Sequence, residues 1–197
     1  MTAERLKRQI QFLLEIDALK TIFRQSYHLD GRQKENAAEH CWHVAVMVLV
    51  LSEYADETPD PLAVLKMLLL HDLVEIDAGD TFCYDEAGRT DQAEREARAA
   101  ERIFALLPED QAAEFHDLWR SYEARRTPEA RFAAALDRLM PLLHNYYTQG
   151  KSWQEHGVMV DQVLDRNRHI GDGSRTLWDF VRALIDDAVA KGYLAQA

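Results

Sequence analysis

The sequence predicts an all-α fold, and three observations predict it. Apolar residues recur at helical spacing along nearly the whole chain. The apolar–polar alternation of a half-buried strand is hardly sustained anywhere. Two segments open on a cap residue followed by proline, Asp60-Pro61 and Thr127-Pro128, a start signal for a helix. With no internal repeat, low-complexity segment or linker, the 197 residues predict one domain of roughly seven to nine helices.

In order, Ala3 to about Ala18 places Leu6, Ile10, Leu13 and Leu14 on one stripe, and Leu19 to Gln25 predicts a shorter helical piece. His28 to Gln33 is a loop. The next helix runs from about Asn36 to Tyr54, with His40, Val44, Met47 and Leu51 on one face. The helix that Asp60 caps carries Val64, Met67, Leu68 and His71 and breaks near Gly79, before a loop from Thr81 to Thr90. Asp91 to Leu107, rich in Ala, Glu and Arg, predicts a solvated helix, and Pro108 opens another up to about Ala124. After Thr127 comes a helix with Phe132, Leu136, Asp137, Met140, Leu143 and His144, which Pro141 should kink. Gly150 ends it, Lys151 to Gly157 is a loop or single turn, and Val158 to Arg168 and Arg175 to Tyr193 finish the chain. Gly171-Asp172-Gly173 has no preceding strand and no GK[ST] ending, so it reads as a turn rather than a phosphate loop.

The totals restrict the function. Lys and Arg number 23 against 34 Asp and Glu, a formal charge of -11, which argues against a nucleic-acid polymer or an anionic membrane as partner. A small anionic substrate stays compatible, because a bound divalent cation inverts the local sign. The longest apolar runs, Val44 to Leu51 and Met67 to Leu70, fall far short of the ~20 residues of a membrane span. Cys41 and Cys83 form no CxxC pair, and the charged start from Met1 to Arg8 does not resemble a signal peptide. The expectation is a cytoplasmic protein with free thiols.

The stretch Leu68 to Asp80 carries His71-Asp72, then Glu75, Asp77 and Asp80, in and after an apolar run. Core building does not call for so many acids and bases, so this stretch is the candidate floor of a metal site. Adjacent helical residues point about 100° apart, so His71 and Asp72 reach one ion only if the helix ends or bends there. His40 shares a stripe with Val44 and Met47, and Asp137 sits among Ala133, Ala134, Ala135 and Leu136. An inward carboxylate is costly unless it is paired, with Arg138 for example, or bound to a metal. His40, His71, Asp72 and Asp137 come from three helices and offer two nitrogens and two or more oxygens. That set suits one divalent ion such as Mn, Co, Fe, Ni, Zn or Mg. Trp42, Trp119, Trp153 and Trp178 read as core or interface residues, and Lys151 as a solvated loop lysine.

Glu39-His40, Leu70-His71-Asp72 and Ala135-Leu136-Asp137 resemble the H…HD…D pattern of the HD superfamily of metal-dependent phosphohydrolases. Leu19-Lys20, Arg24, Glu35 to His40 and His71 to Asp80 are similar to its 5'-deoxynucleotidase (YfbR-like) branch. Glu39-His40-Cys41-Trp42-His43-Val44 is similar to the sister group called HD domain-containing protein 2. The resemblance implies a single HD domain over residues 1–197, with a metal-site core from about 19 to 145 and C-terminal helices 158–193 packed on it. It implies release of phosphate from (deoxy)nucleoside 5'-monophosphates, with His40, His71, Asp72 and Asp137 as metal ligands. Glu75 is then the acid beside the attacking water, Arg24 the phosphate holder, and Asp80 a group at the leaving oxygen or the sugar. Gln25 stands where YfbR-like relatives carry an aromatic, and His43 is absent from that branch. A homodimer is implied too, for which Leu177, Phe180, Val181, Leu184 and Ile185 offer an apolar helix face that would equally close the core. The alternatives are an HD hydrolase of another phosphoester or a nucleoside triphosphate, and a non-catalytic, metal-stabilised binding module.

Overall fold

The computed structural model describes residues 2–196. Eleven α-helices and a two-stranded hairpin are present among them. Helix α1 (Thr2–Glu15) runs into a 3-10 segment, Ile16–Thr21. The helical piece expected over Leu19 to Gln25 ends there. Residues Phe23–Tyr27 form β1, which pairs antiparallel with β2 (Lys34–Asn36), Phe23 opposite Asn36 and Tyr27 opposite Lys34. The fold is predominantly helical as expected, with this one small hairpin that the sequence does not predict. Inside β1 the inward positions are Arg24 and Ser26, polar residues that hide the two-residue period from a hydropathy reading.

The helix α2 (Ala37–Leu51) starts with a reciprocal cap. The Asn36 side chain accepts from Glu39 N–H and the Glu39 carboxylate accepts from Asn36 N–H, both at 3.0 Å. Asp60 caps α3 (Pro61–Leu70) as expected, accepting from Leu62 N–H. Helix α3 stops one residue before His71, where the chain tightens into a 3-10 turn, His71–Val74, and then the short α4, Glu75–Ala78. Gly79 ends α4 at φ +75, a conformation that favours glycine, and turns the chain toward Asp80.

Helix α5 (Gln92–Phe104) is not solvated all round. Ala99, Ala100, Ile103 and Phe104 are buried against Phe12, Leu73, Val74 and Trp119. Helix α6 (Glu109–Ala124) buries Trp119 and Tyr122. Helix α7 (Pro128–Tyr147) is the central rod, capped by Thr127 and continuous through Pro141, touching α2, α3, α6 and α11. Around it lie α8 (Lys151–Glu155), α9 (Val160–Asn167), α10 (Ile170–Gly173) and α11 (Arg175–Ala190). At Gly173 a Cβ would fall 2.5 Å from the Arg131 carbonyl oxygen, so only glycine lets α10 approach α7 this closely.

In α11, Leu177, Val181, Leu184 and Ile185 are buried, while Phe180 is half exposed. This helix closes the core, which leaves it no broad apolar face for a second copy. Among the described residues no helix is long and apolar enough to cross a membrane.

Candidate metal centre

Helices α2 and α7 and the turn after α3 bring four side chains to one buried point. His40 is fully buried on α2, and its Nε2 lies 2.9 Å from Asp137 Oδ1 on α7. His71 begins the 3-10 turn. Its Nδ1 donates to the Leu68 carbonyl at 2.9 Å, since that carbonyl can only accept. Nε2 is thereby turned inward, 3.1 Å from Asp72 Oδ1 and 3.5 Å from Asp137 Oδ1. The tightening of the helix at His71 is what lets the neighbouring His71 and Asp72 converge. Ligand atoms of His40, His71 and Asp72 all lie within 4.8 Å of one another.

A divalent ion fits this donor set. His71 Nε2 is buried and makes no hydrogen bond, while its other nitrogen is already committed to a carbonyl, the usual arrangement behind a metal-bound imidazole. Asp137 Oδ2 accepts from Tyr122 O–H at 3.0 Å and lies 3.5 Å from Arg138 Nε, which leaves Oδ1 facing the histidines. Two imidazole nitrogens and two carboxylates suit a borderline divalent metal.

The surrounding charge points the same way. Burial works against a positive charge on Arg24 and on His71. Asp72 acts with other neighbours, Glu75, Asp80 and Asp137 around Arg24 and Cys41 and Asp137 around His71, and together they hold both groups well above their ordinary pKa. Burial also pushes the Glu75 carboxyl well above the usual carboxylate range, helped by Asp72, and raises Asp80 for the same two reasons. Burial pushes Asp137 up, yet it lies well below that range, held down by Arg138, by its hydrogen bond to His40 and by the nearby His71.

Arg24 projects from β1 into the site. It donates to Asp72 Oδ2 at 2.7 Å and lies within 3.9 Å of Asp80 Oδ1 and Asp137 Oδ1. Glu75 is buried with its Oε2 unpartnered. Arg24, His71, Asp72, Glu75, Asp80 and Asp137 all line one cavity of about 120 Å³. All seven candidate site residues therefore meet: six line the cavity, and His40 packs behind it on Asp137.

Others do not join them. Asp77 pairs with Arg102 outside the pocket. Lys151 donates to the Gly31 carbonyl at 2.7 Å and lies over the Tyr27 ring, so it ties the hairpin down instead of solvating freely. Trp153 is buried, whereas Trp42 is exposed.

Three residues beside the site were assigned no role from sequence. Glu35, the one buried residue of β2, has Oε2 3.4 Å from His40 Nδ1 and 3.8 Å from Arg24 Nε. A three-residue strand is too short for its period to single Glu35 out. Tyr122 was findable, because it shares a buried stripe with Trp119 at i, i+3. His144 lies two turns beyond Asp137 on α7, with Nδ1 3.7 Å from Glu35 Oε2.

The fold and this site define a helical, metal-dependent hydrolase. The profile of the "HD domain" family matches residues 16–178. The 5'-deoxynucleotidase HDDC2 of Bos taurus is 31% identical over 144 residues, covering 73% of this chain and 69% of that protein. A crystal structure of a predicted metal-dependent phosphohydrolase from Magnetospirillum magnetotacticum is 55% identical, with a TM-score of 0.93 over 97% of this chain and 96% of that one. An HD-domain phosphohydrolase from Listeria innocua, 16% identical, shares the fold with a TM-score of 0.66, covering 91% of this chain and 89% of that one. The chain belongs to the HD-domain family.

Proposed function

We propose that this HD-family hydrolase, acting as a single HD domain, releases inorganic phosphate from deoxynucleoside 5'-monophosphates. One observation carries the reading. The buried quartet of His40, His71, Asp72 and Asp137 opens onto a cavity that also holds Arg24, Glu75 and Asp80. A purely structural ion needs none of the last three. The substrate class is supported by the likeness to HDDC2, whose name is 5'-deoxynucleotidase.

In this reading His40, His71, Asp72 and Asp137 would hold one divalent ion, which would supply Lewis-acid chemistry to the water and the phosphate. Glu75 orients the attacking water and accepts its proton as the water oxygen approaches phosphorus in line with the 5' oxygen. Arg24 offers its planar fork of donors to the phosphate oxygens, and substrate then competes with Asp72 for the guanidinium. Asp80, whose pKa is raised by burial, would hand a proton to the departing 5' oxygen or bind the sugar hydroxyl. The cavity of about 120 Å³ is small beside the ~300–1,000 Å³ of typical ligand sites, so it takes the phosphate and its near surroundings while the base lies toward the mouth.

Homodimerisation belongs to the same reading, on a different face from α11. Leu13, Trp42, Val46, Leu49 and Leu69 are exposed and line an apolar groove across α1, α2 and α3. A cytoplasmic setting suits Cys41 and Cys83, which are both unpaired.

The test is a phosphate-release screen of deoxy- and ribonucleotides with Mn, Co, Mg and Zn, with product analysis. Release of inorganic phosphate from deoxynucleoside monophosphates supports the reading. Release of tripolyphosphate from triphosphates, or no release with any metal, contradicts it.

A further inference from the structure

Behind the candidate metal centre lies a second cluster that the proposed reaction does not use. Helix α2 carries His43 one turn after His40, and α7 carries His144 two turns after Asp137. The two helices therefore present two layers: His40 faces Asp137, and one step along, His43 faces His144, with ring centroids 6.2 Å apart. Glu35 of β2 stands between the layers. Its Oε2 is 3.4 Å from His40 Nδ1 and 3.7 Å from His144 Nδ1.

We propose that Glu35, His43 and His144 form a second divalent-cation site, distinct from the His40, His71, Asp72, Asp137 centre. The three ligand atoms already lie within 4.8 Å of one another. Glu35 is 2% and His144 3% exposed, yet neither Glu35 Oε2 nor His144 Nδ1 makes a well-formed hydrogen bond; the carboxylate has only the loose approaches of His40 Nδ1 at 3.4 Å, His144 Nδ1 at 3.7 Å and Arg24 Nε at 3.8 Å. Two imidazoles with one carboxylate favour Zn, Co or Ni over Mg or Ca. Small side-chain rotations bring the atoms to the ~2.0–2.2 Å of zinc bonds. His43 is only half-buried, which gives an ion a route in from solvent. An ion here pins β2 to α2 and α7 and holds Glu35 where it faces His40 Nδ1, so occupancy of this site reaches the first centre through one residue.

Metal content per chain after equilibrium dialysis against micromolar Zn²⁺ tests the proposal. Wild type is expected to hold two ions, His43→Ala one, His71→Ala one, and the double variant none. Glu35→Gln, which keeps the shape of the side chain, is expected to behave as His43→Ala. Thermal melts confirm that each variant is folded, and His43, at the protein surface, tolerates replacement. The proposal is overturned if folded His43→Ala and Glu35→Gln hold as much zinc as wild type. It is equally overturned if wild type holds a single ion that His71→Ala removes. The phosphatase reading stands or falls separately: two ions without phosphate release would sink that reading and leave the second site intact.

Discussion

The pocket has two walls of different make. One is helical: α2, the turn after α3, and α7 supply His40, His71, Asp72 and Asp137, all nearly inaccessible to solvent and braced by Leu68, Tyr122 and Arg138. The other is irregular. The β1–β2 hairpin supplies Arg24 and Glu35, and the segment after Gly79 supplies Asp80. The helical wall is made of donors that suit a metal and are packed into the main core. The irregular wall is made of groups that suit a phosphate and a leaving oxygen, on short elements tied to α8 by Tyr27 with Glu155 and by Lys151 with Gly31. On the proposed reading, the helical wall would position the ion and the irregular wall would take the substrate.

If that division is right, the largest losses come from the helical wall. Asp137→Asn should remove bound metal and lower phosphate release by about 10³-fold or more, because several kcal/mol of transition-state stabilisation leave with the ion. Metal analysis alongside kinetics checks it, and normal metal content in a folded Asp137→Asn protein would break the comparison. Glu75→Gln, at the joint of the two walls, should keep metal and substrate affinity and cut kcat by about 10²- to 10⁴-fold, the usual worth of a general base. A change confined to KM would reassign Glu75 to binding. On the irregular wall, Arg24→Lys should retain the ion but lose about 10- to 100-fold in kcat/KM, since a lysine cannot reproduce a two-pronged contact. Loss of metal in that variant would show that the walls do not divide the work.

The smallest effect lies beyond both walls. Burial, with Arg125 and Arg138 adding to it, pushes His169 down to about 3. The unfolded chain takes up that proton near pH ~6.5, whereas the fold refuses it until far lower. The contribution of His169 is thus complete above pH ~6.5 and is lost progressively as pH falls below it. Urea midpoints at pH 7.5 and 5.0 should therefore fall less steeply with acid in His169→Gln than in wild type. Equal slopes would contradict the assignment.

The same two walls explain what was legible in the sequence. His40 and Asp137 stand in helical apolar stripes, where a polar residue is conspicuous, and His71-Asp72 interrupts an apolar run. Long, periodic elements announce their misfits. The hairpin announces nothing: β1 buries Arg24 and Ser26, β2 buries only Glu35, and neither strand has an apolar period to read. Arg24 entered only through a family resemblance, and Glu35 received no role at all. The 3-10 turn at His71 was required by the chemistry of two adjacent ligands, though the sequence does not mark where α3 gives way to it. In α11, an apolar stripe of Leu177, Val181, Leu184 and Ile185 reads the same whether it meets a core or a partner, and only packing distinguishes the two.

On the proposed function, one ion held by the helical wall drives phosphate release in this pocket. The most direct measurement strips the protein with chelator and titrates Mn²⁺ back while following phosphate release from a deoxynucleoside monophosphate, in wild type and in His71→Ala. The account predicts no release from the stripped protein, recovery that saturates as the His71-dependent site fills, and no recovery in His71→Ala. Full activity without metal, or equal recovery in His71→Ala, would contradict it.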